Sequence, residues 1–289
     1  MSLVAILQLG MVFSIVLMLF ALALRAKVAD LTFMVTHWRL GLGAAVAMFV
    51  VVPAAAILMA WTLELNRAVE IAIIALAFSP LPPILPGKQI KAGGQACYIT
   101  GLLFGATILS IIVAPLGVAL VSRIFHVDAA ISLTAVANPL VISILLPLIL
   151  GLILAPVLKG AVPRVSDVTG KVGSLLLLIV MIGIVIVTGK AMWHLVGDGT
   201  LAALAVMTVV GLAAGYLLGG PDPGNKAALA LAASSRHPGV AIAIASNGLA
   251  DSHYVPAAVV LSMIVSTVLC VPFLKMMHGQ AGGSPATAD

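Results

Sequence analysis

Ser234-Ser235-Arg236-His237-Pro238-Gly239 interrupts one apolar segment of this chain, and Leu85-Pro86-Gly87-Lys88 interrupts another. The two interruptions correspond. Pro86-Gly87 is followed by Ser110 and Pro238-Gly239 by Ser262, an equal offset of 24 residues (110 − 86 and 262 − 238). Leu109-Ser110-Ile111-Ile112-Val113 also matches Leu261-Ser262-Met263-Ile264-Val265 at a constant shift of 152 (238 − 86), which brings Gln95 onto Asn247. A break frees backbone polar groups, and irregular backbone survives at membrane depth only where protein or a wet cavity satisfies it. Interrupted apolar segments at corresponding positions of two halves therefore point to a transporter's binding site.

The remaining composition agrees with a membrane setting. The chain has 289 residues, 63% hydrophobic and 8% charged, with a mean hydropathy of +1.27. Soluble domains carry roughly one-quarter charged residues. Most stretches between charges are long enough for a helix of about 20 apolar residues, and no ten-residue alternation suggests a barrel. The predicted fold is all-α, a polytopic membrane protein of about nine transmembrane helices. The spans fall near 3–24, 40–61, 69–92 (broken), 95–122, 132–158, 172–189, 200–219, 225–248 (broken) and 254–276. They divide into a first repeat over 1–123 and a second over 132–276. A small polar tail over 279–289 reads as disordered. The apolar run from Leu3 to Leu24 lacks a basic n-region and reads as a first span, not a signal peptide.

Placing the connections alternately on two sides collects Arg25, Lys27, Arg39, Lys88, Lys91, Lys159, Arg164, Lys171, Lys226 and Lys275 on one side. Arg67, Arg123 and Lys190 lie opposite. The positive-inside rule then puts the C-terminus in the cytoplasm and the N-terminus outside, in a bacterial inner (plasma) membrane. The net charge of +5 reflects this topology, so no nucleic-acid partner is inferred. The partners are the lipid bilayer and a small-molecule anion; the oligomeric state is open.

With that orientation the two broken segments run in opposite directions, as an inverted, crossing pair. Helices starting after Pro86 and Pro238 would aim backbone N–H groups and positive partial charge at the crossover, which suits an anion. Arg236 lies inside a span, where a charge costs on the order of 3 kcal/mol and marks a functional site by default. Lys88 stands in a similar place beside the first break. His237, with an ordinary pKa of about 6.5, is the candidate proton carrier. The predicted substrate-binding set is Ser79, Pro86, Gly87, Lys88, Gln95, Thr107, Ser110, Ser234, Ser235, Arg236, His237, Pro238, Gly239, Asn247 and Ser262. Each hydroxyl among them also has the plainer role of an interhelical packing residue.

The order of elements, a Pro/Gly-broken segment followed by a helix with a serine in its middle, repeated in the second half, resembles the bile acid:sodium symporter superfamily. Pro53, Ser79-Pro80, Ala92-Gly93-Gly94-Gln95 and His237-Pro238-Gly239-Val240-Ala241 carry the resemblance, which covers nearly the whole chain. It implies a core domain holding two crossing broken helices and a panel domain that moves against it. Sodium-coupled members hold two sodium ions with oxygen ligands from a Gly-Gly…Ser-Asn stretch, an acidic residue, a Gln-Asn pair and a glutamine. Here the corresponding positions are Leu81-Pro82 and Leu85-Pro86, Ala232, Arg236-His237 and Met48. The resemblance thus implies a divergent member without the sodium-site residues; the two fixed cations gained nearby, Lys88 and Arg236, are the candidates to stand in for the ions.

The expected function is secondary transport of a small or amphipathic organic anion by alternating access. The alternatives are a sodium-coupled symporter with an altered ion site, an anion efflux carrier, or a non-transporting receptor of the same fold. Coupling to protons or sodium is left open. An enzyme is not expected: Gly-x-Ser-x-Gly and His-Glu-x-x-His are both missing, and the six histidines are scattered. No cofactor or metal is expected, since Cys97 and Cys270 are too few for a metal site or disulfide framework.

Overall fold

A computed structural model of the chain describes residues 3–82, 84–125, 134, 138, 141–248 and 254–281. Every regular element among them is helical. In chain order these are α1 (Leu3–Arg25), α2 (Val28–Thr36), α3 (Trp38–Val46), α4 (Val52–Thr62), α5 (Arg67–Phe78), α6 (Leu85–Lys91) and α7 (Ala96–Ile124), then α8 (Leu146–Leu158), α9 (Val162–Leu195), α10 (Thr200–Leu218), α11 (Pro223–Ser234), α12 (Pro238–Gly248) and α13 (Val255–Ala281). Six helical stretches among the described residues are long and apolar enough to cross a membrane, or seven if the bent pair Leu9–Arg25 and Ala29–Thr36 counts as one. Their large apolar side chains are exposed on the outer faces, as at Ile186, Leu217 and Val157, where lipid is the natural solvent.

One membrane-length stretch, Trp38–Thr62, contains a π-helical turn at Ala47–Val51 between α3 and α4. Pro53 explains it. A proline has no N–H to continue the i→i−4 ladder, and the register widens so that Val52 N–H bonds the carbonyl of Ala47. Met48 is then left without a backbone donor, because Val52 is committed and Pro53 has nothing to offer.

Two departures from the sequence reading concern connections. Residues 25–39, read as a loop, contain α2, which bends 89° from α1. Lys27 and Asp30 set its start: the Lys27 N–H donates to Asp30 Oδ2 at 3.0 Å. At nine residues α2 is too short to cross a bilayer and too short to stand out as a periodic segment. Further on, the predicted span 172–189 is only the apolar middle of α9, whose 34 residues measure about 51 Å at 1.5 Å each. Residues 126–133 lie outside the described residues, as do 282–289 of the predicted tail. Residues 279–281 of that tail continue α13 as helix.

The chain reverses at Lys159–Ala161, where Lys159 takes a positive φ of 42°. Gly151 on α8 lies against Phe20 and Ala23 of α1, and Ser166 on α9 donates to the carbonyl of Ala21 at 2.8 Å. A straight helix would separate residues 151 and 166 by about 22 Å, so the two arms fold back onto one region of α1. The α1, α8 and α9 helices make one layer. A second layer contains α3 to α6 and α10 to α13, with α7 packed on α2, α5 and α6. The layers meet chiefly where α9 crosses α13.

In the second layer, Gly211 and Gly215 of α10 and Gly219, which caps its C-terminus, face the α11 backbone at four-residue intervals. A Cβ on Gly215 would lie 2.4 Å from Ala230 Cα, and one on Gly219 would lie 2.5 Å from Lys226 Cα. Small residues in such a stripe let helix backbones approach without a hydrophobic driving force. Gly224 seals the other side of α11, since its Cβ would lie 1.9 Å from the Gly93 carbonyl oxygen.

Candidate functional site

The first interruption is not centred on Pro86-Gly87 as the sequence reading held. Helix α5 ends at Phe78, α6 starts at Leu85, and the non-helical link is 79–84, of which Pro83 lies outside the described residues. Pro80 and Pro82 account for this. They withhold N–H groups and push the preceding residues into extended backbone, as at Ser79 with φ −77° and ψ 152°. Pro86 instead sits in the first turn of α6, where its missing N–H is no loss. A Cβ on Gly87 would meet nothing within 4 Å, so no close approach requires a glycine there. The second interruption, Ser235-Arg236-His237, falls where the sequence placed it, with Pro238 opening α12.

The two links touch. The His237 backbone N–H donates to the Pro80 carbonyl at 2.9 Å. The Arg236 side chain, only 7% exposed, donates through Nη1 to the Ser79 carbonyl at 3.0 Å and through Nη2 to the Met48 carbonyl. Its guanidinium also stands 5.8 Å from the centre of the Phe49 ring, within cation–π range. Both acceptors have a backbone origin: Ser79 closes the C-terminal, partially negative end of α5, and Met48 is the carbonyl stranded by Pro53. Arg236 Nε is buried without a partner, and neither of the ion pairs among the described residues involves Arg236. His237 is 3% exposed, and its Nδ1 accepts from the Val240 N–H at 3.3 Å, capping the start of α12.

Beside this crossover lies a cavity of about 110 Å³, room for roughly four waters at about 30 Å³ each. Counting its mouth to solvent, the open space reaches about 940 Å³. The wall includes Leu177 and Met181 from α9, in the first layer, and residues of α5, α6, α10, α11 and α13 from the second. Lys88, Ser234, Ser235, Arg236, His237, Pro238 and Ser262 of the predicted set line it together. No Asp or Glu does.

Other predicted positions lie elsewhere. Ser79 is fully buried behind Arg236, and its hydroxyl donates to the Leu76 carbonyl at 2.9 Å. Gln95 is exposed at the start of α7, and its backbone N–H donates to Asn225 Oδ1 at 3.3 Å while its carbonyl accepts from the Ile99 N–H at 2.9 Å. Ser110 bonds the Thr107 carbonyl at 2.7 Å within α7, away from the cavity. Pro86, Gly87, Thr107 and Gly239 are not among its lining residues. The Asn247 side chain lies outside the described residues. Sequence reasoning missed Thr208, Ser266 and Thr267, which also face the cavity. Ser266 stands one helical turn after Ser262, so a 3.6-residue reading of α13 had the signal to include it.

The wider arrangement is a helical membrane protein with touching helix breaks and a cavity where two layers meet. No curated protein matches the chain. Residues 12–197 match the model for the Sodium Bile acid symporter family, a stretch that holds the first break and ends before the second. This stretch is 186 of the 289 residues (197 − 12 + 1), and the chain belongs to the sodium bile acid symporter family, whose members are membrane transporters.

Proposed function

We propose that the chain is a secondary transporter of a small or amphipathic organic anion that works by alternating access without sodium coupling. The supporting observation is the placement of Arg236. Sodium wants several oxygen ligands, and the two carbonyls that converge on the crossover, from Ser79 and Met48, are taken by the Arg236 guanidinium. The side chains of Met48 and Ala232 are buried and supply no oxygen. A sodium ion does not fit this arrangement. A tethered cation does what an ion does elsewhere in the family: it satisfies inward-facing carbonyls and ties the break after α5 to the break after α11. Lys88, the other cation proposed as a surrogate, is exposed and serves better at the cavity than in bracing the crossover. His237 is given no proton-carrying role, because Nδ1 is occupied as a helix cap.

The cavity's position supports the transport reading. It lies between α9 of one layer and the broken helices of the other, so sliding of the layers would open it to one side or the other. The bias of basic residues supports a cytoplasmic C-terminus. The first and second repeats, 1–123 and 132–276, are proposed as the evolutionary units, although α1 of the first packs with α8 and α9 of the second. Uptake of a labelled monocarboxylate into proteoliposomes tests the proposal. Uptake persists when sodium is replaced on both sides, falls to background in Arg236→Ala and survives in Arg236→Lys. Strict dependence on a sodium gradient would refute it.

A further inference from the structure

The connection between α1 and α3 lies across the membrane face. Helix α1 has 23 residues and α3 opens the membrane-length stretch Trp38–Thr62, while α2 joins their neighbouring ends at 89° to α1. It therefore runs along the bilayer plane. Trp38 and Trp61, 61% and 76% exposed, stand at the two ends of the Trp38–Thr62 stretch, about 35 Å apart at 1.5 Å per residue. Exposed tryptophans so spaced mark the edges of a hydrocarbon core about 30 Å thick, and α2 lies at the Trp38 edge.

One face of α2 is fastened to protein. A Cβ on Gly101 of α7 would lie 2.8 Å from the Asp30 carbonyl oxygen and 3.0 Å from Phe33 Cβ, and Phe33 meets the Tyr98 ring edge-on with centroids 6.2 Å apart. Gly101 is about 8 Å along α7 from its first residue, the depth at which an interfacial helix seats its apolar side. The other faces are open. Ala29, Thr32 and Thr36 are exposed, and Val35 is 78% exposed.

Charge at this elbow is unbalanced toward the positive. Arg25 is committed to Asp167 at 2.7 Å, and the Asp30 carboxylate accepts the Lys27 N–H at the start of α2. Where Leu40 packs on Gly220, the neighbouring acid Asp222 accepts the Asn225 N–H at 2.8 Å. Lys27 and Arg39, which flank α2, are exposed and enter no ion pair among the described residues. The Arg39 guanidinium stands 5.6 Å from the centre of the Trp38 ring, so a cation and an apolar anchor share one place at the membrane edge.

We infer that α2 is an interfacial helix and that Lys27 and Arg39 gather the headgroups of anionic phospholipids at its two ends. Their cations meet the lipid phosphates, and Val35 and Trp38 meet the acyl chains. The elbow is also where the chain passes from the first layer, through α1, to the second, where α2 is packed on α7. Lipid held there grips the joint between the layers.

The test is thermal unfolding of the purified full chain in a neutral detergent, titrated with dioctanoyl phosphatidylglycerol or dioctanoyl phosphatidylcholine. Affinity is read from the concentration dependence of the melting shift. The wild type prefers the anionic lipid by about 25-fold, since each cation at an anionic surface contributes about five-fold. Lys27→Gln and Arg39→Gln each lose about five-fold of that preference, and the double variant loses it altogether while melting like the wild type without lipid. Lys27→Arg/Arg39→Lys retains the preference, as does Lys171→Gln/Lys275→Gln, which removes two exposed cations on α9 and α13. Equal responses of the wild type to the two lipids overturn the assignment, as does a preference that survives Lys27→Gln/Arg39→Gln. Loss of preference in Lys171→Gln/Lys275→Gln also overturns it, since charge would then act diffusely. Saturation by glycerol 3-phosphate at the concentrations of the anionic lipid would make the ligand a soluble phosphate and sink the lipid assignment.

Discussion

Replacing Pro53 by alanine should rescue a protein that has lost Arg236, although the two residues belong to different helices. Met48 lies where Val52 N–H has moved to the Ala47 carbonyl and where Pro53 lacks an N–H, so Arg236 Nη2 is its donor. Arg236→Met strands the buried carbonyls of Met48 and Ser79, each at about 1–3 kcal/mol, or about 2–6 kcal/mol together. Removing the charge returns on the order of 3 kcal/mol of membrane burial cost. The net effect of the single substitution is therefore small to moderate, and uninformative alone. Pro53→Ala supplies an N–H that can bond Met48 in the same widened register. In the double variant one of the stranded carbonyls is satisfied again, so the two changes should be non-additive by about 1–3 kcal/mol in the direction of rescue. Equilibrium unfolding of the four proteins in mixed SDS micelles measures the term. Additivity within about 0.5 kcal/mol would refute the account of why Arg236 is held there.

Other expectations test the packing that carries the site. Gly224→Ala forces a Cβ to within 1.9 Å of the Gly93 carbonyl and should lower the melting temperature or abolish folded yield. Gly87→Ala, where nothing lies within 4 Å, should be neutral or stabilise by up to about 1 kcal/mol through helix propensity; fluorescence-detected size-exclusion chromatography after heating distinguishes the pair. Gln89 is fully buried on α6 and its Nε2 donates to the Ala228 carbonyl at 2.7 Å, tying the two broken segments together. Gln89→Leu should destabilise by about 0.5–1.5 kcal/mol by removing that bond, the helical ladder of α11 still satisfying the carbonyl, read in the same SDS titration, with a wild-type midpoint counting against the tie.

The membrane class and the second interruption were legible in the sequence because they depend on composition and on a charge and proline within one short stretch. The first interruption was displaced by several residues. Pro86-Gly87 looked like the break because it matched Pro238-Gly239, yet helix-ending power resides in Pro80 and Pro82, while a proline in a first turn ends nothing. Arg236 stood out as a candidate from its depth alone, but its partners did not. They are backbone carbonyls of Ser79 and Met48, and a carbonyl's availability depends on hydrogen-bond register, which residue identity does not display. Thr107 and Ser110 were plausible by analogy with Ser262, and they face away because α7 packs on α2, α5 and α6 while α13 borders the cavity.

The reversal at Lys159–Ala161 also dictates when the protein can be assembled. Of the described helices, α1 leaves the ribosome before the others; it finds its packing surface on α8 and α9, and Ala21 accepts its bond from a serine synthesised 145 residues later. During most of translation α1 must therefore wait in the bilayer as a solitary helix, kept there by its own apolarity. Chains halted before about residue 195 would leave α1 incompletely partnered. Membrane quality control acting on such intermediates would read the delay between the two ends of this layer as a window of vulnerability.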